Sequence, residues 1–389
     1  MKKLLLILVL LPLLSIAQNK TYNGIIREFG TNLPIEMVSI GVENSNLGTV
    51  TNEEGKFRIT VPNDAKTLLF NHLNYKVASY NLVSRNTDFE ILLEPAGFDL
   101  EEIVVTSKPV NQILGDVIGA SRKRVEKSLL VNTYGREFIS LNGKFVKFSD
   151  GLLDYYVKKQ SGASDLHVKQ SRSFELNKNT KTEDEERKES MTVIDIRDVM
   201  EQAYAFKSLK TTLKNKDYDY ELRAKTDHAG NTLEIIKIIP NPEVEKDLLI
   251  GSVTYDPKTK LILEIDLKSS PEHQKFAKTI NLLIVKIRIN EFARKINFKL
   301  EGDKYVMSYS QTKINFYVKT KKSFDDTYEF LSDFVMMDYK EGEFKLDKDK
   351  RYTKKSISQA GNNFQNEYWK TSNIMLLTSK EEKILKSVE

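Results

Sequence analysis

The sequence predicts a mainly β protein: an N-terminal seven-stranded antiparallel sandwich, then a larger α+β domain with a long, meandering, curved antiparallel sheet and about two helices. Seven short apolar runs, cut by turn residues, lie within residues 21–94, and strands at such close spacing are typical of a sandwich. Longer alternating runs joined by short turns fill residues 218–340. Because these turns connect neighbouring strands directly, we expect a single meandering sheet.

Residues 1–17 have the pattern of a secretion signal. Two lysines precede the apolar run at residues 4–11, and small residues follow it. That run is shorter than the roughly 20 residues that a membrane-spanning helix needs. We therefore expect export, cleavage between Ala17 and Gln18, and no transmembrane segment in the mature chain.

Charge and cysteine content limit the possible partners. Of the 60 Lys and Arg residues two lie in the signal segment, so 58 basic residues face 55 acidic ones in the mature chain. This balance predicts no binding to nucleic acid. With no cysteine, the chain has no disulfide and no lipid-modified cysteine of a bacterial lipoprotein. We expect it in the periplasm or peripherally associated with the outer membrane.

The stretch around residues 48–61 combines a turn with an alternating strand. Phe57, Ile59 and Val61 alternate with polar residues, and Gly55 supplies positive φ for the turn ahead of them. With its neighbours this stretch resembles the carboxypeptidase-regulatory-like domain, a transthyretin-like β-sandwich. The matching residues are Gly24, Pro34, Val38, Ile40, Gly48, Thr49, Thr51, Asn52, Gly55 and Phe57.

The resemblance predicts this domain at residues 18–96, with Asn74-Tyr75 where the family usually has Gly-Tyr. It implies a non-catalytic module, often found at the N-terminus of bacterial envelope proteins, and not a peptidase. Residues 97–110 are then predicted to supply the last strand of the sandwich, at 103–106, and a linker. The valine-rich segment at 103–106 also resembles the coupling segment of energy-coupled outer-membrane receptors, although the following chain lacks the alternation of a membrane barrel.

Residues 111–389 are predicted to form the second domain, with helices near 111–130 and 195–209. Basic residues crowd one side of the first helix, either as a solvated face or as a contact for phospholipid headgroups. The element order resembles an envelope family of unassigned function that pairs the regulatory-like domain with a curved sheet. By analogy it is also similar to the bent sheets of periplasmic lipoprotein carriers, whose apolar concave walls hold acyl chains.

The sequence contains no recognisable catalytic motif. His72, His167, His228 and His273 are far apart, and none lies in an H-E-x-x-H zinc motif. Nucleophile-elbow, phosphate-loop and dinucleotide patterns are missing, and the acidic run at 182–186 lacks the ligand spacing of a calcium loop. We predict no catalytic residue, no cofactor and no metal site.

Closely spaced aromatic residues are the most suggestive candidates for ligand contact. Aromatic faces can stack on sugar rings or line an acyl groove, although strands also use them for cross-strand packing. The candidates are Tyr155, Tyr218, Tyr220, Tyr368 and Trp369.

Two functional hypotheses follow. The first is a non-catalytic binding or scaffolding protein at the periplasmic side of the outer membrane, with envelope proteins as partners and lipid or carbohydrate as further possible ligands. The alternative is a periplasmic lipid or lipoprotein carrier, which requires a continuous apolar groove that the protein's own helices do not fill. A hydrolase is the third and least supported hypothesis.

Overall fold

The computed structural model divides into two compact units. The N-terminal unit takes in the chain up to Pro95 together with Gln365–Thr378, and the sheet unit takes in Ala96–Phe364 with the chain from Ser379 onward. The predicted cleavage site, Ala17–Gln18, lies outside the described residues. The structure describes residues 19–82, 87–159, 161–175, 194–282, 285–301, 304–321 and 324–386.

Seven strands form the described part of the N-terminal unit. They are β1 (Lys20–Glu28), β2 (Ser39–Val42), β3 (Gly48–Val50), β4 (Lys56–Val61), β5 (Thr67–Asn71), β6 (Ala78–Asn81) and β7 (Asp88–Leu93). One sheet has the order β4-β1-β7 and the other β3-β2-β5-β6. The predicted mainly β fold with an N-terminal sandwich is confirmed, but β1 and β7 run parallel where we expect antiparallel pairs.

Apolar side chains from both sheets form the core of the N-terminal unit. Ile26, Ile40 and Ile59 are fully buried, and the ring of Phe57 meets that of Phe70 edge-on with centroids 5.9 Å apart. Burying one such side chain contributes about 1.5–3 kcal/mol. The alternation of apolar and polar residues around Phe57 thus marks the buried face of β4.

Among the residues that the structure describes, the sheet unit contains one open sheet of twelve strands. Its order is β11-β10-β9-β19-β18-β17-β15-β14-β13-β12-β8, with β16 paired to β17, and the pairs are antiparallel. The strands are β8 (Glu102–Ile103), β9 (Leu129–Leu141), β10 (Lys144–Val157), β11 (Ser164–Glu175), β12 (Tyr218–Thr226), β13 (Thr232–Pro240), β14 (Leu249–Asp256), β15 (Leu261–Ser269), β16 (Ile280–Leu282), β17 (Val285–Glu301), β18 (Lys304–Thr320) and β19 (Asp325–Glu341).

The long strands of this sheet do not pair in one continuous register. The register shifts between β9 and β10, between β17 and β18, and between β9 and β19. An extra residue in one strand bends it and increases its twist. Such shifts favour the curvature that the sequence predicts.

Helices are few in the described chain. They are α1 (Val110–Arg124), α2 (Val199–Tyr204), α3 (Lys207–Lys214), α4 (Asn366–Thr371) and α5 (Ser379–Lys386). The first predicted helix ends at Arg124, earlier than residue 130, because Leu129 already begins β9. The second is divided into α2 and α3, since Phe206 between them has a left-handed φ of 54°.

The sheet has two faces of different character. On the core face, strand side chains such as Val131, Ile236 and Val253 pack with residues of α1, α2 and α3 in one apolar cluster. The opposite face, here the groove face, carries Arg136 and Phe138 of β9. Since strand side chains alternate between faces, neighbouring residues in one strand can serve different surfaces.

Two predicted boundaries differ from the structure. Glu102–Ile103 does not complete the sandwich; it forms β8 and pairs with β12 at the end of the large sheet. It pairs there because an edge strand has unpaired backbone groups. Gln365–Thr378, which we assign to the second domain, groups with the N-terminal unit. In the described chain, no helix combines the length and the apolarity that crossing a membrane requires.

Residues Gln365–Thr378, here called the returning segment, are held by side-chain hydrogen bonds within the N-terminal unit. Arg58 donates to the carbonyl of Trp369 at 3.1 Å, and the buried backbone N–H of Thr60 donates to Oδ1 of Asn373 at 2.7 Å. Asn52 donates to the carbonyl of Leu377 at 3.2 Å. Trp369, 5% exposed, therefore belongs to the packed part of this unit.

Candidate ligand-binding groove

A groove of about 640 Å³ lies on the groove face, across β15, β17, β18, β19 and β9. Its volume falls within the range of roughly 300–1,000 Å³ that is usual for ligand sites. The side chains that line it on this face include Lys268, Ala293, Lys313, Leu331, Phe138, Glu291, Asn315, Glu329 and Ser140.

Strand register arranges these side chains in two rows. The basic row crosses five strands in the order Lys268, Ala293, Lys313, Leu331, Phe138, each paired with the next. Its two lysines are exposed, and its far end is apolar. The row therefore changes from cationic to aromatic along its length.

The acidic row lies two residues away along the strands. It crosses four strands in the order Glu291, Asn315, Glu329, Ser140, again through paired positions. Both glutamates are exposed. Within the described chain, neither they nor the two lysines of the basic row take part in an ion pair, so all four charges are available to a ligand.

A buried ionic network adjoins the groove on the same face. Arg136, two residues before Phe138, pairs with Asp333 at 2.8 Å and with Glu381 of α5 at 3.2 Å. Tyr309 and Gln311 donate to the second oxygen of Asp333 at 2.5 and 2.9 Å. Burial alone would lower the pKa of Arg136, but the two carboxylates raise it above its ordinary value.

Aromatic side chains extend the basic row away from the lysines. Phe138 packs against Phe148 with ring centroids 4.7 Å apart, and Phe148 against Phe174 at 6.0 Å. The guanidinium groups of Arg136 and Arg172 lie 5.3 and 5.8 Å from the centroids of Phe138 and Phe174. Such cation–π contacts fix the rings at this end of the groove.

The residues that match the pattern of the carboxypeptidase-regulatory-like domain have structural roles in the N-terminal unit. A Cβ on Gly24 would lie 2.5 Å from the ring of Phe57, and one on Gly55 would lie 2.4 Å from the carbonyl of Ile26. Thr51 accepts from the N–H of Val38 and donates to the carbonyl of Ile35.

The remaining motif residues lie in the same region. Oδ1 of Asn52 accepts from the N–H groups of Glu54 and Lys56 and so closes the turn before β4. Pro34 makes an isolated bridge with Arg27, and Gly48 begins β3. The motif thus encodes turns and strand contacts of the sandwich.

The aromatic candidates are not gathered at the groove. Tyr155 is fully buried and donates to the carbonyl of Ile196 at 2.8 Å, so its ring belongs to the core. Tyr218 and Tyr220 pack against the same core cluster. Trp369 is buried in the N-terminal unit, and the side chain of Tyr368 is not among those described.

The histidines are likewise dispersed. His273 is buried, with Nδ1 2.9 Å from the Ser270 hydroxyl and Nε2 3.1 Å from the carbonyl of Asn241. Among the described residues no group of three or more His, Asp or Glu side chains could hold a metal ion.

Sequence reasoning missed the charged residues of the groove. Alternation in β18, where Lys313 and Asn315 flank buried Ile314, marks an exposed face. Alternation does not reveal that β9 pairs with β19, which lies almost 200 residues later in the chain. This pairing places Phe138 beside Leu331.

These features define a two-unit β protein whose larger unit presents a mixed-charge groove. Residues 22–105 match the family model of the CarboxypepD_reg-like domain, as the sequence resemblance predicts. No curated protein matches the sequence. Among solved structures the chain is similar to a DUF1329 family protein from Desulfovibrio piger, at 11% identity, over 62% of this chain and 96% of that chain. Its TM-score of 0.25 carries no argument about function.

Proposed function

We propose that this chain is an exported, non-catalytic binding protein of the cell envelope, and that its groove binds an extended segment of a partner protein. The observation that carries the proposal is the pair of rows, one with two lysines and the other with two glutamates, with all four charges unpaired within the described chain. Export rests on the signal pattern of residues 1–17.

The dimensions of the groove suit an extended chain. Five neighbouring strands at about 4.8 Å spacing span about 19 Å, which about six residues of extended polypeptide cover. The two rows lie two residues apart along the strands, or about 7 Å. A segment lying across the strands would direct acidic side chains towards Lys268 and Lys313 and basic ones towards Glu291 and Glu329.

The carrier hypothesis receives less support from these observations. The apolar core face is packed by α1, α2 and α3, and an acyl chain on the groove face would displace water from four charged side chains. Burying a charge without a partner is strongly unfavourable. A partner with charges of both signs avoids that cost.

A selection of displayed linear peptides against the mature full chain tests the proposal. Selected peptides are expected to combine apolar residues with acidic and basic ones, and to bind the double variant K268E/K313E about tenfold more weakly or worse. The variant K216E/K258E, which makes the same charge change at two exposed lysines outside the groove, is the matched control and should bind normally.

Peptide affinity that K268E/K313E leaves unchanged would contradict the groove as the binding site. Native mass spectrometry of protein purified from its own envelope fraction separates the two hypotheses further. A bound lipid that is lost on organic extraction would favour the carrier, whereas a bound polypeptide would favour the partner-binding proposal.

A further inference from the structure

A second cavity, of about 140 Å³, lies on the core face of the sheet unit. It lies on the other side of β17 from the groove, since Arg294 lines it while Ala293 lines the groove. At about 30 Å³ for each water molecule, this volume holds about five waters. A group of a few heavy atoms fits, and a nucleotide or a sugar chain does not.

Arg294 is the cationic group of this cavity. Its Nε donates to the hydroxyl of Thr312 at 3.2 Å and its Nη1 to the hydroxyl of Ser208 at 2.8 Å. Within the described chain, Nη2 makes no hydrogen bond and no carboxylate forms an ion pair with the guanidinium. Burial lowers the pKa of Arg294 to about 10, so the group is still charged at neutral pH.

Two carboxylates also line the cavity, but each has a cationic partner of its own. Asp195 accepts from Nε of Arg197 at 2.7 Å and from the same residue's Nη2. Asp198 pairs with Lys207 at 3.4 Å. Their charges are thus partly neutralised. Arg294 lies 5.1 Å from the centroid of the Phe292 ring and is attracted by Asp198, but its described hydrogen bonds go to hydroxyl groups and not to a carboxylate.

Neutral donors complete the site. Oε1 of Gln202 accepts from both the N–H and the hydroxyl of Ser208, which fixes the orientation of the amide, because a backbone N–H can only donate. The Nε2 group of Gln202 can therefore donate to a ligand, since no described hydrogen bond uses it. Ser310, on the strand next to Arg294, also lines the cavity with a hydroxyl that no described hydrogen bond uses.

We propose that this cavity binds a small oxyanion, either a phosphate or a carboxylate group, between Arg294, Gln202 and Ser310. A guanidinium presents two parallel N–H donors to such an anion, and charge-assisted hydrogen bonds of this kind are about twice as strong as neutral ones. The site is separate from the groove and does not depend on the peptide-binding proposal.

Isothermal titration of the full mature chain with inorganic phosphate, acetate and glycerol 3-phosphate tests the inference. Phosphate or acetate is expected to bind, and R294Q should weaken binding about tenfold or more. The variant R288Q removes the same charge from an exposed position of β17 and should leave affinity unchanged. Glycerol 3-phosphate distinguishes a free anion from a headgroup. If only free phosphate fits the small cavity, glycerol 3-phosphate should not bind, whereas its binding would indicate a headgroup.

The more conservative variants S310A and Q202L keep the test decisive if R294Q fails to fold. Each removes one donor and should weaken binding about threefold to tenfold. The inference is overturned if the wild-type chain binds neither phosphate nor acetate at about 10 mM, a concentration that would detect even millimolar affinity. It is also overturned if R288Q loses as much affinity as R294Q.

Discussion

The two units bury polar side chains in different ways. In the N-terminal unit Thr51 and Asn52 bond to backbone groups of nearby turns and of the returning segment. In the sheet unit, buried charged side chains such as Arg136 and Asp333 bond to each other across strands distant in sequence. Burying a neutral side chain that hydrogen-bonds to the backbone costs little free energy. Burying a charged side chain is strongly unfavourable unless all of its partners are present. The sheet unit should therefore be the more sensitive to single substitutions.

The largest effect is expected at the ionic network. R136M removes the cation from between Asp333 and Glu381 and leaves the fully buried Asp333 carboxylate without its counter-charge. Breaking a buried pair in this way costs about 3–5 kcal/mol. Urea unfolding of the sheet unit, followed by far-UV circular dichroism, measures the loss.

The double variant R136M/D333L provides the control for this prediction. With both charges gone, apolar groups replace the pair, and most of the lost stability should return. If the double variant is as unstable as the sum of R136M and D333L, the two residues act independently and the network does not couple them.

A buried carboxyl on the core face should make stability depend on pH. Glu137 accepts from the Ser356 hydroxyl at 2.6 Å and from the N–H of Ile357 at 2.9 Å, and burial raises its pKa from 4.5 to about 7. The folded chain thus favours the protonated form. The stability that this group contributes is present below pH 4.5 and is lost as pH rises from 4.5 to 7.

E137Q imitates the protonated form at every pH. It should be more stable than the wild-type chain at pH 8, by up to about 3 kcal/mol, and the difference should vanish near pH 4. Urea unfolding at the two pH values measures this, with the exposed Glu126 as the site of the control variant E126Q. An E137Q chain that is less stable than the wild-type chain at pH 8 would contradict the prediction and show that the Glu137 carboxylate stabilises the fold at that pH.

The contrast between the units also explains how far the sequence could predict the structure. The turn before β4 is local, so Asn52, Gly55 and Phe57 mark it, and the family match follows the same residues. The meander of β12 to β15 is local as well. The pairing of β9 with β19 and the arrival of Glu381 beside Arg136 are not, because alternation shows a strand's faces but never its partner.

Within the N-terminal unit, the next largest effect is expected at Gly55. Its φ is +71°, and an added Cβ would lie 2.4 Å from the carbonyl oxygen of Ile26, so G55A should cost about 2–3 kcal/mol. Gly30 shares the positive φ but has open space around it, and G30A should cost about 1 kcal/mol. Fluorescence of Trp369, the single tryptophan of the chain, reports unfolding of this unit. Equal losses in the two variants would mean that backbone strain, and not the close oxygen, limits substitution.

The smallest effect tests whether the returning segment is a structural part of the sandwich. N373A removes the acceptor of the buried Thr60 N–H, so the N-terminal unit should lose about 1–2 kcal/mol. Its matched control is N366A, at an exposed position of α4 in the same segment, which should change stability by less than about 0.5 kcal/mol. Exchange of the Thr60 amide with deuterium should accelerate in N373A alone, because that hydrogen bond protects it. If both variants behave alike, the Thr60–Asn373 bond does not hold the segment, and the packing of Trp369 and Met375, both buried, must hold it without that bond.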